Sequence, residues 1–183
     1  IPTEEIKRFN EYIDFKTLEK WFYELLHEYA KSASWELKWH EKRNISIKNI
    51  EFPFEYRPGQ NTLVKGVYQT ILRKKRLYIE APTGVGKTIS TIFPAVKAMG
   101  EELSEKLFYL TAKTITRTVA QDAFNILSDN GVHLKYVTIT AKEKICILDK
   151  PTCNPGSCPR ALGHFDRVNN AVFDVITHEE HIT

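Results

Sequence analysis

The stretch Ala81-Pro82-Thr83-Gly84-Val85-Gly86-Lys87-Thr88 contains the residues of this chain that are best suited to chemistry. Its spacing is that of the phosphate-binding loop G-x-x-x-x-G-K-[ST], with an alanine in place of the first glycine. Glycines let backbone N–H groups approach phosphate oxygens, a lysine can reach the β- and γ-phosphates, and a hydroxyl can complete a magnesium shell. The pattern predicts nucleotide and Mg²⁺ binding by Thr83, Gly84, Val85, Gly86, Lys87 and Thr88, with Lys87 and Thr88 as the catalytic pair.

Three cysteines, Cys146, Cys153 and Cys158, have the spacing C-x6-C-x4-C. An odd number of cysteines does not suit a disulfide framework, and thiols that stay reduced in the cytosol are free to bind metal. Four thiolates are the usual shell of an iron–sulfur cluster. A zinc site completed by His164, and free thiols without metal, are the alternatives.

The composition is that of an ordinary folded chain. It has 183 residues, of which 42% are apolar and 27% charged, with a net charge of +3. These values exclude disordered and collagen-like classes, and the mild positive charge permits a nucleic-acid partner without requiring one. No apolar run approaches the roughly 18 residues that cross a bilayer. We therefore expect a cytoplasmic protein without membrane contact and, since the first residue is Ile1, a piece of a longer protein.

Hydrophobic periodicity predicts the helices that hold these residues. Residues 3–52 contain neither glycine nor proline, and apolar side chains recur there every three or four positions, which is typical of a long amphipathic helix with Asp14 as its N-cap. Further helices are predicted from Asn61 and over residues 87–99, 114–127 and 166–178.

Short apolar runs at residues 77–79, 107–110 and 134–139 predict three buried strands. Because these strands alternate with helices, they imply crossover connections and a parallel sheet. The expected fold class is therefore α/β, with helices that flank a parallel sheet.

The order of the motifs resembles that of the XPD/DinG-like iron–sulfur DNA helicases of superfamily 2. Residues 80–88 are similar to their motif I, in which a small residue at the position of Ala81 is usual. Upstream, Tyr56-Arg57-Pro58-Gly59-Gln60 resembles their nucleotide-base loop, with Gln60 in the place of the adenine-reading glutamine. From its sequence context alone, an exposed turn residue is the alternative role for Gln60.

Downstream, Tyr109-Leu110-Thr111-Ala112-Lys113-Thr114 resembles motif Ia, which touches the nucleic-acid backbone. Residues Thr111, Lys113 and Arg117 are predicted to contact DNA. They follow the second predicted strand at the carboxyl edge of the sheet, where hydroxyls, cations and helix N–H groups suit phosphates. A surface salt bridge is the alternative role for Arg117. Residues 142–159 resemble the stretch that carries the first three cluster cysteines.

The resemblance covers residues 50–183 and implies a RecA-like P-loop NTPase fold. It divides the chain into a helical segment over 1–50, a partial motor lobe over 51–140 and a partial iron–sulfur domain over 141–183. It implies an ATP-dependent DNA helicase of the 5′–3′ type that moves along single-stranded or forked DNA in repair. The implied cofactors are ATP, Mg²⁺ and a 4Fe–4S cluster whose fourth cysteine is expected beyond Thr183.

Several parts of a complete motor do not occur in this sequence. It contains no Asp-Glu-x-His carboxylate pair to hold magnesium and polarise water. We therefore expect that activity requires a second motor lobe from the same polypeptide. The stretch His178-Glu179-Glu180-His181 lacks the i, i+4 spacing of a zinc protease and is predicted to be an exposed helix end. Two alternatives remain for the function: a P-loop ATPase or switch that does not unwind DNA, and a zinc-stabilised binding module without catalysis.

Overall fold

The computed structural model describes residues 8, 10–112, 114–148 and 152–182. The described part of the chain forms six helices and two strands of two residues each. The helices are α1 (Phe15–Lys48), α2 (Gln60–Leu72), α3 (Lys87–Gly100), α4 (Thr114–Asp129), α5 (Lys142–Ile145) and α6 (His164–His178); the strands are β1 (Tyr136–Val137) and β2 (His181–Ile182).

The chain divides within α1 into two compact units, Ile1–Leu37 and Lys38–Thr183. In the first unit, Asp14 is the N-cap that the sequence predicts, since its Oδ1 accepts hydrogen bonds from the backbone N–H groups of Lys16 and Thr17 at 3.1 and 3.2 Å. The hydrogen bond from the Thr17 hydroxyl holds the pKa of the Asp14 carboxyl below its ordinary value. The large apolar side chains of this part of α1, such as Trp21 and Phe22, are exposed.

The core of the second unit is built around α3. Nine residues of α3 are buried, because its sequence is apolar on most sides and contains no charge between Lys87 and Lys97. Residues from α1, α2, α4 and the following segment pack with it in one apolar cluster. That cluster is Ile47, Ile50, Val64, Ile89, Ile92, Phe93, Val96, Ala120, Ala123, Leu127, Val132 and Leu134.

The C-terminal part of α3 holds the end of α1. The Lys97 ammonium donates hydrogen bonds to the carbonyl oxygens of Lys48 at 3.0 Å and Ile50 at 3.1 Å. A cation at this place compensates the unpaired carbonyl groups that every helix has at its C-terminus. One turn further along, Gly100 lies so close to α1 that a Cβ added to it would be 2.5 Å from Cγ2 of Ile47.

The prediction of an α/β fold with a RecA-like parallel sheet is wrong. Residues 77–79 and 107–110 form no strand, and β1 covers only two residues of the predicted strand over 134–139. The apolar runs that suggested buried strands are largely exposed: Tyr78 is 87% exposed and Leu110 is 88% exposed. A strand is stabilised by its neighbours in a sheet, and the described residues supply only the parallel pair β1–β2.

The pair β1–β2 also corrects the prediction for residues 178–181. Helix α6 ends at His178, and His181 begins β2, where its ring stacks on Tyr136 with centroids 4.1 Å apart. The stretch is therefore a helix end followed by a strand rather than a helix end alone. Among the helices described, none has the length and apolar character that a membrane crossing requires.

The contact between Gly100 and Ile47 predicts opposite effects for two glycine substitutions. Gly100→Ala forces a methyl group into Ile47 and should lower the free energy of unfolding by about 1–3 kcal/mol. Gly66→Ala, within α2, meets no atom within 4 Å and should raise it by about 0.5–1 kcal/mol through helix propensity. Urea unfolding of both variants measures the difference. Equal stabilisation by the two alanines would contradict the close packing of α1 on α3.

Candidate phosphate-binding site

The loop that precedes α3 has the backbone conformation that its glycines permit. Gly84 and Gly86 have φ values of 84° and 78°, in the left-handed region that other residues rarely adopt. Gly86 is the N-cap of α3 and provides no side-chain cap, and the first turn of α3 contains no acidic residue. The loop therefore presents a helix N-terminus without a competing carboxylate, which is an arrangement suited to an anion.

Lys87 is the first residue of α3 and lies against the loop. Its Nζ donates hydrogen bonds to the carbonyl oxygens of Ala81 at 2.8 Å and Pro82 at 3.1 Å. The side chain is exposed. The ammonium is thus held over the backbone of the loop by two neutral acceptors, from which it can turn to a phosphate oxygen.

Two hydroxyl groups flank this loop. The Thr88 Oγ1, predicted to join a magnesium shell, lies 3.5 Å from the hydroxyl oxygen of Tyr109. Ser90 is fully buried, and its hydroxyl donates to the Gly86 carbonyl at 2.8 Å. The Ser90 bond anchors the glycine at the start of α3. Sequence reasoning missed Ser90, because a serine two residues beyond the motif carries no distinctive pattern.

The structure brings Gln60 to residues 81–88, the loop before α3 that is named the phosphate loop after the motif that it matches. Gln60 is only 3% exposed, so it is not an exposed turn residue. Its Oε1 accepts a hydrogen bond from the backbone N–H of Arg57 at 3.0 Å, and its Nε2 is 2.7 Å from where a Cβ on Gly86 would lie. The Arg57 guanidinium donates through Nη1 to the Gly84 carbonyl. The predicted base loop and the phosphate loop are therefore in direct contact.

Aromatic packing fixes the base loop to α3. The ring of Phe52 meets Phe93 of α3 edge to face at 5.3 Å, and Tyr56 stacks on Phe52 with centroids 4.5 Å apart. Phe93 belongs to the buried core. Residues 52–56 are thus packed against the buried core, and this packing restrains the chain that leads to Arg57 and Gln60.

Of the three predicted DNA contacts, Thr111 and Arg117 line one cleft of about 540 Å³, and Lys113 lies outside the described residues. The Arg117 Nη1 donates to the Thr140 hydroxyl at 3.2 Å, and no salt bridge joins Arg117 to a carboxylate among the described residues. Its Nε is buried and has no hydrogen-bond partner among the described residues. The side chain therefore has a donor to offer to an anion.

The three cysteines differ in exposure. Cys158 is 7% exposed, Cys146 is half-buried and Cys153 is exposed. Within residues 8, 10–112, 114–148 and 152–182, no three side chains among His, Cys, Asp and Glu converge on a point that could hold a metal ion. The three thiols and His164 consequently do not form a ligand set in this structure. The cluster and the zinc site both remain predictions from the sequence.

The neighbourhood of Cys153 contains a cation instead. The interaction of the Lys142 ammonium, on α5, with the Cys153 side chain raises the pKa of the ammonium.

Comparisons of the chain with protein-family models, with curated proteins and with solved structures find no match.

The arrangement of the thiols predicts the order in which they react. Iodoacetamide should modify Cys153 fastest and Cys158 at least about tenfold more slowly, because the alkylating agent must reach the sulfur. Peptide mass spectrometry after timed quenching measures the three rates. Equal protection of all three thiols, together with bound iron or zinc, would show that they converge on a metal.

Proposed function

We propose that this chain binds ATP with Mg²⁺ through residues 81–88 and contributes this site to an ATP-dependent DNA helicase. In the complete enzyme, hydrolysis would drive 5′–3′ movement along single-stranded or forked DNA, in the service of DNA repair. The remainder of the same polypeptide would supply the second motor lobe. We place the enzyme in the cytoplasm, where thiols such as Cys153 stay reduced.

The observation that carries the proposal is the loop itself. Two glycines in the left-handed conformation precede a helix N-terminus, and a lysine at the first position of that helix lies over the loop. Backbone N–H groups, a helix dipole and one mobile cation are the three components with which proteins hold a polyphosphate. Each component alone is common, whereas their combination over six residues favours phosphate binding.

A second observation supports a nucleotide rather than a simple phosphate. In the chain, Gln60 precedes Gly84, the first glycine of the phosphate loop, by 24 positions. In the structure, the Gln60 side chain lies against Gly86 of the same loop. A side-chain amide both donates and accepts hydrogen bonds, which suits the edge of an adenine. Its position beside the phosphate loop is compatible with a ligand that extends from a polyphosphate to a base.

The DNA-binding part of the proposal rests on Arg117 and Thr111. Arg117 lines the same cleft as Thr111, and its buried Nε has no acceptor among the described residues. Leaving a charged donor buried without a partner is costly, so a phosphate oxygen there would be favourable. A motor that holds DNA mainly by its backbone binds with little sequence preference.

The 4Fe–4S cluster remains a proposal for the complete protein. Cys146, Cys153 and Cys158 supply soft ligands of the correct chemistry, although the described side chains form no group of three that could hold a metal ion. A fourth cysteine is expected beyond Thr183. No step of nucleotide binding depends on the cluster.

The proposal predicts that Lys87→Ala strongly weakens phosphate binding without unfolding the chain. The side chain is exposed, so its loss should leave the melting temperature unchanged, while the affinity for Mg²⁺–ATP should fall at least about 100-fold because the main positive charge is removed. Isothermal titration calorimetry measures this affinity. Lys20→Ala, which removes a lysine from α1, is the matched control and should bind as the wild type does.

Unchanged ATP affinity in Lys87→Ala would refute the assignment of the loop. The wild-type chain should bind ATP but hydrolyse it at no useful rate, since it lacks the Asp-Glu-x-His pair. Steady hydrolysis that depends on Lys87 would show that the catalytic groups lie within these 183 residues.

The cleft predicts a specific effect for Arg117. Arg117→Ala should weaken binding of single-stranded DNA equally for different base sequences and lower the salt dependence by about one phosphate contact. Arg117→Lys keeps the charge and should retain most of that salt dependence. Fluorescence anisotropy over a range of salt concentrations measures both. A loss of affinity confined to one base sequence would contradict a backbone contact.

A further inference from the structure

A bridge of two side chains joins the base loop to the phosphate loop. The Arg57 guanidinium donates to the carbonyl oxygen of Gly84, and the Arg57 backbone N–H donates to Oε1 of Gln60 at 3.0 Å. Gln60 is buried, whereas Arg57 is exposed. The buried glutamine therefore fixes the backbone of Arg57, and its guanidinium reaches across to the phosphate loop.

The bond to the Gly84 carbonyl has a consequence for the next N–H group. A trans peptide is planar, and its C=O and N–H point in opposite directions. The Gly84 carbonyl and the Val85 N–H belong to the same peptide unit. When Arg57 holds the carbonyl, the Val85 N–H is therefore directed away from the guanidinium.

Fixing this peptide is important because of the conformation of the loop. Gly84 is free to adopt many backbone conformations, and nothing lies within 4 Å of where its Cβ would be. Because Gly84 has no side chain, side-chain packing at this position cannot hold the Gly84–Val85 peptide in place. Among the described residues, the Arg57 guanidinium donates the hydrogen bond that the Gly84 carbonyl oxygen accepts.

We propose that Arg57 is a positioning residue for phosphate binding. Its guanidinium holds the Gly84–Val85 peptide so that the Val85 N–H is directed to the anion, and Gln60 keeps Arg57 in place. This inference rests on the proposed phosphate binding by residues 81–88. According to this inference, Arg57 and Gln60 strengthen the binding of the phosphates of a ligand, whether or not the ligand also has a base.

The inference is tested by comparing ATP with inorganic tripolyphosphate, which has the phosphates but neither base nor sugar. Isothermal titration calorimetry of the 183-residue chain with each Mg²⁺ complex gives two affinities per variant. Arg57→Ala should weaken both by the same factor, about tenfold, as expected for the loss of one charge-assisted hydrogen bond. Arg57→Lys should recover part of that loss for both ligands.

Arg73→Ala is the matched control, since it removes one exposed arginine at the end of α2. It should leave both affinities within twofold of the wild type. Equal losses in Arg73→Ala and Arg57→Ala would assign the effect to net charge and overturn the inference. In spectra of the ¹⁵N-labelled chain without ligand, the Val85 amide resonance should shift in Arg57→Ala and remain in place in Arg73→Ala.

Two further outcomes would also overturn the inference. Weaker binding of ATP with unchanged binding of tripolyphosphate would mean that Arg57 acts on the base or sugar. Unchanged binding of both would mean that the Gly84 peptide is held without Arg57. If the wild type binds neither ligand, the proposed function itself fails, and this result is distinct from a loss confined to Arg57→Ala.

Discussion

The burial of α3 is the constraint on which the remainder of the second unit depends. Ile92 and Val96 are among its fully buried side chains, so the axis of the helix is fixed by the core. Its N-terminus then determines where Gly86 and Lys87 lie, and its C-terminal turn provides Lys97 to the end of α1. A helix that is packed along its length in this way transmits a change in the core to the loop, because close-packed interiors yield little.

The helices could be predicted from the sequence because their determinants are local. Periodicity located α2 and α3 to within one residue at their starts, and Asp14 marked the beginning of α1. The sheet could not be predicted in the same way, since a strand needs a partner that is distant in sequence. An apolar run such as 107–110 has strand character in its residue types, but no neighbouring strand pairs with it among the described residues, and Leu110 is left exposed.

The same distinction between local and long-range determinants applies to the residues of the candidate site. The glycines and the lysine of the phosphate loop are a local sequence pattern, and Gly84 and Gly86 adopt the left-handed conformation that glycine permits. The bond from Arg57 to Gly84 joins residues 27 positions apart and has no sequence pattern that predicts it. Spacing alone likewise cannot show whether Cys146, Cys153 and Cys158 converge, because convergence depends on how the chain between them folds.

If residues 81–88 bind a phosphate as proposed, Lys87 and Arg57 would have different tasks in that binding. Lys87 occupies two carbonyl oxygens within the loop, so it must exchange neutral acceptors for phosphate oxygens when a ligand enters. A charge-assisted bond to phosphate is stronger than a bond to a carbonyl, and this difference favours the exchange. Arg57 can keep its bond to Gly84 throughout, since that bond lies on the opposite side of the peptide from the Val85 N–H. In the proposed site, the lysine would supply a charge that moves to the ligand and the arginine would supply a fixed geometry, so neither could replace the other.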